Sequence, residues 1–138
     1  MHTDKAKPMV GIVATALSAL LVLGMLTFAG PCAHEDGTAG SCLWAQRAVL
    51  GVGAVLLALS LVRIFERDEG ERRGLSLSIG LLGALAACMP GMIVVLCTGQ
   101  GMHCTAVMQP FALVVGAALA VAGVADLVIR LRAIIKRP

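Results

Sequence analysis

Four long stretches of the chain contain no charged residue, and this feature constrains the fold more than any other. The uncharged runs cover residues 9–30, 48–62, 74–96 and 108–125. A helix of roughly 20 apolar residues crosses the ~30 Å hydrocarbon core of a bilayer. With their amphipathic ends included, the runs predict transmembrane helices at 9–30, 44–65, 74–96 and 108–130. The predicted fold class is therefore all-α, an integral membrane four-helix bundle.

The composition excludes a soluble domain. Of the 138 residues, 59% are hydrophobic and only 14% are charged, with a mean hydropathy of +0.93. A water-soluble chain of this size could not bury so much apolar surface. The first apolar run is longer than the ~7–15 residues of a signal-peptide core, so we expect it to be a retained span. Residues 1–138 are predicted to form a single transmembrane domain.

The basic residues predict the orientation of the spans. Ten of the 11 Lys and Arg residues lie on the same side of the predicted spans. They stand before the first span, around the connection between the second and third spans, and at or after the end of the fourth span. Only Arg47 lies on the other side. Because basic residues in short loops stay in the cytoplasm, we expect both termini and loop 66–73 to be cytoplasmic. The chain then forms two in-out-in hairpins with outward loops 31–47 and 97–107. The net charge of +3 follows from this asymmetry and requires no nucleic-acid partner.

Four of the five cysteines fall in the two outward loops. They are Cys32, Cys42, Cys97 and Cys104. Thiols in an oxidising compartment outside the cytoplasm tend to pair. The simplest pairing joins Cys32 to Cys42 and Cys97 to Cys104, although four cysteines allow three connectivities. We predict that both outward loops carry disulfides.

The segment CTGQGMHC, residues 97–104, also raises the question of a metal site. Met102, His103 and His34 in the first outward loop are the weak candidate ligands, because soft sulfur and imidazole ligands favour copper or zinc ions. Their spacing matches no defined metal motif, and oxidised cysteines would not contribute. We therefore predict no metal site.

Small residues predict how the spans pack together. Transmembrane helices approach closely where Gly, Ala and Ser form a stripe. The third span carries Ser76, Gly80, Ala84 and Cys88 at four-residue spacing, the fourth carries Ala112, Gly116 and Ala120, and the second carries Ala54 and Ala58. These residues are predicted to be helix-packing positions.

Ionisable residues within the spans are few. Arg63 stands at the predicted inner rim, and Asp126 near the inner end of the fourth span has Arg130 four residues further on. That spacing predicts an ion pair along one helix. A transporter should carry ionisable groups along a pathway, so transport by this chain alone is disfavoured. In the third span, Pro90 and Gly91 predict an interruption of the helix.

Two stretches of the chain resemble a known family. They are CAHEDGTAGSCLWAQRAVLGVGAVLL and PGMIVVLCTGQGMHCTAVMQPFALVVGAAL. They are similar to an uncharacterised family of small bacterial four-span membrane proteins with paired extracytoplasmic cysteines. The resemblance implies a multi-pass protein of the bacterial cytoplasmic (inner) membrane, and an association with ABC-type export permeases.

The plan of four spans with a cysteine pair in each outward loop also resembles the DsbB-like, quinone-linked proteins that generate disulfides. That resemblance implies a redox role for Cys32, Cys42, Cys97 and Cys104, with Arg47 contacting a quinone cofactor. The chain has no Cys-x-x-Cys, the spacing that tunes thiol reactivity in redox motifs.

The leading hypothesis from the sequence is a non-enzymatic membrane protein with disulfide-stapled outer loops and no cofactor. It would act as an accessory subunit of a membrane transport complex such as one built on an ABC-type permease, and a homo-oligomer remains open. The alternative is a DsbB-like thiol-disulfide oxidoreductase that uses a quinone.

Overall fold

A computed structural model describes residues 6–30, 40–96 and 104–136. In these ranges the chain forms α1 (Ala6–Leu26), α2 (Ser41–Phe65), α3 (Glu69–Cys88) and α4 (Gln109–Ile135). A wide π-type turn, Met89–Ile93, follows α3, and a second one, Cys104–Met108, leads into α4. All four helices are long and apolar enough to cross a membrane. The all-α, four-helix prediction is thus confirmed.

Local sequence determines where α2 ends and α3 begins. Asp68 has an extended backbone, and its side chain accepts a hydrogen bond from the Gly70 N–H at 2.7 Å. This is the usual N-cap arrangement, which satisfies one of the unpaired donors of the first helical turn. The turn between the helices is therefore only residues 66–68. We call this end of the bundle, where Phe65, Glu69 and Arg130 lie, the basic end.

The closest helix pair is α3 with α4. A Cβ atom added to Gly83 would lie 2.7 Å from the Ala120 backbone nitrogen, and one added to Gly116 would lie 2.6 Å from that of Ala87. At Gly123 the same atom would lie 2.6 Å from the Gly80 nitrogen. The two backbones are in contact along this seam because no side chain separates them, as in other small-residue packing of membrane helices.

The predicted packing positions divide between two environments. Ser76, Gly80, Ala112 and Gly116 are buried, and Ala120 and Cys88 are half-buried, whereas Ala84 is exposed. Residues four positions apart differ by about 40° around the helix axis. A stripe at four-residue spacing therefore leaves the contact face after about eight residues. Ala54 and Ala58 of α2 are exposed as well. Within the described chain α2 packs through its opposite side, so the role of these two alanines as packing positions stays a prediction.

The predicted interruption of the third span is confirmed. Pro90 has ψ 120° and Gly91 has φ 95°, so the helix ends rather than bending. The Gly91 N–H donates to the Val94 carbonyl, and the Val94 N–H donates to that of Met89, each at 3.0 Å. The side chain of Gln109, at the start of α4, fills the space that a side chain at Gly91 would need. Gln109 thereby supports the irregular end of α3.

On the other side of the bundle, α1 packs against α2 and α4. The Gln46 Nε2 donates to the Met25 carbonyl oxygen at 2.6 Å, inside the bundle. A carbonyl near the end of a helix lacks an intrahelical donor, so the amide supplies one where water is excluded. Phe28 and Phe111 form an edge-to-face pair with ring centroids 5.0 Å apart.

Candidate functional site

Asp126 is the centre of a buried polar cluster that joins three helices. Its Oδ2 accepts from the Arg63 Nη2 of α2 at 2.7 Å and from the Arg130 Nε of its own helix at 2.8 Å. The Ser76 Oγ of α3 lies 2.6 Å from the same oxygen and 2.8 Å from the Arg72 carbonyl oxygen. The single hydroxyl hydrogen of Ser76 is shared between those two acceptors. One carboxylate oxygen thus links α2, α3 and α4.

Arg130 extends this cluster to the first residue of α3. Its Nη1 donates to the Glu69 Oε2 at 2.5 Å. The predicted Asp126–Arg130 ion pair along α4 is confirmed at 2.8 Å. Arg63, Glu69, Ser76, Asp126 and Arg130 together are the Asp126 cluster. Its two guanidinium groups face two carboxylates, so its formal charges balance.

Arg63 lies deeper than the sequence suggests. Its side chain is only 3% exposed, whereas the pattern of charges puts it at the inner rim. The reason is that Arg63 is on the face of α2 that continues through Leu56 and Ser60 toward the other helices. Its Nε is buried without a hydrogen-bond partner. Both groups of a buried ion pair lose their hydration. Such a pair is therefore stable only where hydrogen bonds compensate for that loss.

The cluster is suited to holding helices together. An unpaired charge inside a membrane is costly, and ionisable residues there normally face the interior and pair with each other. Among the described residues, Arg63 and Asp126 are the buried side chains that carry a charge, and they pair directly. Lipid provides no hydrophobic drive for helix association, so such polar contacts contribute to the assembly of a bundle.

The turn at the basic end is held by hydrogen bonds between side chains and the backbone. The Glu66 carboxylate accepts from the backbone N–H groups of Arg67 and Asp68 at 3.0 and 3.2 Å. These bonds, the one from Asp68 first, lower the pKa of Glu66 because they stabilise the charged carboxylate. The Arg72 Nε donates to the Glu66 carbonyl oxygen at 2.7 Å. The turn is thus a solvated structure with a fixed conformation.

The predicted cysteine and metal positions fall mostly outside the described residues. Cys32, His34, Cys97, Met102 and His103 lie there, as does the side chain of Cys104. Cys42 is buried in the first turn of α2, and Cys88 is a free, half-buried thiol at the end of α3. Within the described ranges, no three His, Cys, Asp or Glu side chains are grouped so as to hold a metal ion.

Arg47, the candidate quinone contact, is exposed near the other end of α2. Its Cζ lies 5.7 Å from the centre of the Trp44 ring, and the Trp44 side chain is also exposed. An arginine over an aromatic face gains a modest cation–π attraction. Trp44 is typical of an anchor at the membrane–water interface. The pair faces outward from the bundle and not into it.

Several residues of structural importance were not predicted. The four-residue stripe predicts Ser76 only as a small packing residue. Its hydroxyl group, in the helix next to the one that carries Asp126, is also a suitable hydrogen-bond donor to that carboxylate. Gly83, which stands beside the predicted stripe of the third span, packs in the α3–α4 seam as expected, whereas Gly123 of that seam is not predicted. Gln46 supplies the polar contact of α1 with α2. The signal for Gln46 was present in the sequence, because a lone amide in an apolar span requires a partner.

These features define a class: an all-α, multi-pass membrane protein whose helices contact the lipid bilayer with their apolar outer faces. Residues 10–129 match the model of a domain of unknown function, DUF4418, and the chain belongs to this family. No curated protein and no solved structure matches the chain.

Proposed function

We propose that this protein is a non-enzymatic accessory subunit of a larger membrane assembly, of the kind built on an ABC-type export permease. The observation that carries the proposal is an exposed stripe of small residues on α2. Gly51, Ala54 and Ala58 all face away from the bundle, spaced three and four residues apart. We call these three residues the α2 stripe.

The α2 stripe is unusual for a surface that meets only lipid. A Cβ atom added to Gly51 would meet nothing within 4 Å, so the glycine serves no contact inside the chain. Residues exposed to lipid are ordinarily large and apolar, whereas small residues at this spacing let a second helix approach closely. Trp44 and Phe65, near the two ends of the same face, are exposed large side chains that would flank such a helix. We infer that the α2 stripe receives a helix of the partner.

The Asp126 cluster supports a scaffold role. Its carboxylates and guanidinium groups are engaged with one another across α2, α3 and α4. Groups that carry an ion or a proton must exchange partners during transport, and this set is arranged for static contact. The bundle would therefore present a fixed surface to its partner.

The proposal includes an orientation and a redox state. The basic end would face the cytoplasm of a bacterium, in agreement with the distribution of Lys and Arg. The loops at the opposite end would be held by Cys32–Cys42 and Cys97–Cys104 disulfides. Mass spectrometry of unreduced peptides tests the pairing, and pairs that resist mild reductant are expected.

The partner proposal is tested by co-purification. The tagged protein is co-expressed with an ABC-type export permease of the same bacterium and is isolated in mild detergent. We expect the permease to be retained, and a Gly51→Leu/Ala54→Leu variant to lose at least nine-tenths of it, because two large side chains separate the helices. Ala117→Leu, at an exposed position of α4, is the matched control and should retain it. Elution of the wild-type protein without the permease, or as a homo-oligomer alone, would contradict the proposal.

A second candidate function is DsbB-like disulfide generation with a quinone. It rests on the position of Cys42 in the first turn of α2, with Arg47 and Trp44 near the same end of that helix. This function requires bound quinone in the purified protein and a mixed disulfide with a thioredoxin-like partner in Cys42→Ser or Cys104→Ser variants. Cys88→Ser is the control, since that thiol lies within the bundle. Absence of both quinone and mixed disulfide excludes this candidate.

A further inference from the structure

The last residues of α4 continue past the level at which Arg130 contacts the start of α3. Arg130 contacts Glu69, the first residue of α3, and α4 continues without a break to Ile135. All the described residues after Arg130, residues 131–136, are exposed. At about 1.5 Å per residue, this segment is about 9 Å long.

The length of α4 places this segment in the headgroup layer. From Gln109 to Arg130 the helix rises about 32 Å, which is close to the ~30 Å thickness of the hydrocarbon core. The half-exposed Glu69 side chain at the Arg130 level agrees with a position at the edge of that core. The polar layer outside it is roughly 5–7 Å thick on each side. Residues 131–136 therefore span the layer that contains lipid phosphates.

The charges of this segment are unbalanced. Arg130 is engaged with Asp126 and Glu69, whereas no hydrogen bond or ion pair joins the side chains of Arg132 and Lys136 to a described residue. Among the described residues, these two side chains therefore have no acceptor.

Apolar side chains stand beside the basic ones. Ile135 is 83% exposed, and Leu131 and Ile134 are also exposed. Exposed aliphatic side chains next to Arg and Lys are typical of a helix segment within the lipid interface, where the apolar part enters the acyl boundary and the cation meets a phosphate. A protein groove would need to cover all sides of this segment, since its exposed residues surround the helix.

We propose that the α4 extension, residues 131–136, binds the headgroup of an anionic phospholipid at the basic end of the bundle. The phosphate and the further negative charge of such a lipid would supply the acceptors that Arg132 and Lys136 lack among the described residues. Zwitterionic lipids lack this net charge and should bind weakly. The site is independent of the partner that the α2 stripe would receive, because it lies beyond the end of the lipid-facing part of α2.

The test is titration of the purified full-length protein in detergent with phosphatidylglycerol or phosphatidylcholine, followed by native mass spectrometry and thermal unfolding. We expect bound phosphatidylglycerol and an increase in thermal stability, with little effect of phosphatidylcholine. Each basic residue near a membrane surface contributes about 1 kcal/mol, so Arg132→Gln/Lys136→Gln should weaken the apparent affinity about 25-fold. Arg47→Gln removes an exposed charge at the opposite end and should leave the affinity unchanged.

Equal affinity for the two lipids would overturn the proposal, as would an equal loss in Arg47→Gln. A photo-crosslinker in place of Ile135 distinguishes lipid from protein in native membranes. Lipid adducts are expected, and a discrete protein adduct at this position would overturn the assignment. Loss of permease co-purification would leave the lipid titration unaffected, so the two proposals fail separately.

Discussion

The Asp126 Oδ2 lies 2.7 Å from the Arg63 Nη2, across 63 residues of sequence, and both side chains are less than one-tenth exposed. This contact joins the first hairpin of the chain to the second. Ser76 and Arg130 contact the same carboxylate oxygen, so a single acidic side chain coordinates three helices. The stability of the bundle should therefore depend strongly on that one side chain.

We expect Asp126→Asn to destabilise the protein by about 3–5 kcal/mol, because it leaves Arg63 and Arg130 without their charged acceptor. Unfolding in mixed micelles, with SDS as denaturant, measures the change. Asp68→Asn is the matched control, since Asp68 is exposed and asparagine can also cap the Gly70 N–H. A change below about 0.5 kcal/mol in Asp126→Asn would show that the cluster does not contribute to stability.

The α3–α4 seam gives a second prediction. In Gly123→Ala the new methyl group would lie 2.6 Å from the Gly80 nitrogen and 2.7 Å from the Ser76 carbonyl oxygen. The two helices must separate, at a cost of about 1–3 kcal/mol. The same substitution at Gly51 meets nothing within 4 Å and should stabilise the helix by about 0.4–1 kcal/mol. Equal effects at the two glycines, measured by the same unfolding assay, would contradict the close approach.

Gly91 gives a third prediction, based on its backbone. Its φ of 95° is a conformation that other residues adopt at a cost of roughly 1–2 kcal/mol. A methyl group there would also collide with the Gln109 side chain. We expect Gly91→Ala to destabilise the end of α3, detected as faster hydrogen exchange of the Val94 amide. Gly74→Ala, at an open helical position, is the control and should leave that exchange unchanged.

The sequence predicts the number of helices, because each uncharged run, with its amphipathic ends included, has the length of a membrane span. It also predicts the Asp126–Arg130 pair and the interruption at Pro90 and Gly91, since these depend on local spacing. Local spacing does not predict that Arg63 contacts Asp126. Its position relative to Asp126 depends on how the two hairpins are rotated against each other, and local periodicity does not determine that rotation.

The packing positions show the same limit. A stripe of small residues identifies a face that allows close approach, but it does not say which helix occupies the face. The stripe on α3 meets α4, while Ala54 and Ala58 of α2 meet no other helix of the described chain and Ala84 lies outside the contact. The pairing of helices follows from the whole bundle, including Gln46 and Phe111, which connect α1 to its neighbours.

A double-mutant cycle at Arg63 and Asp126 tests the scaffold role of the cluster most directly. The unfolding free energies of Arg63→Met, Asp126→Leu and the double variant are compared with that of the wild-type protein. If the pair links the hairpins, each single variant loses about 3–5 kcal/mol of unfolding free energy. The double variant then loses at least about 1 kcal/mol less than the sum of the two single losses, because Arg63 and Asp126 no longer leave each other unpaired. Additive losses, with a coupling energy below about 0.5 kcal/mol, would contradict the account.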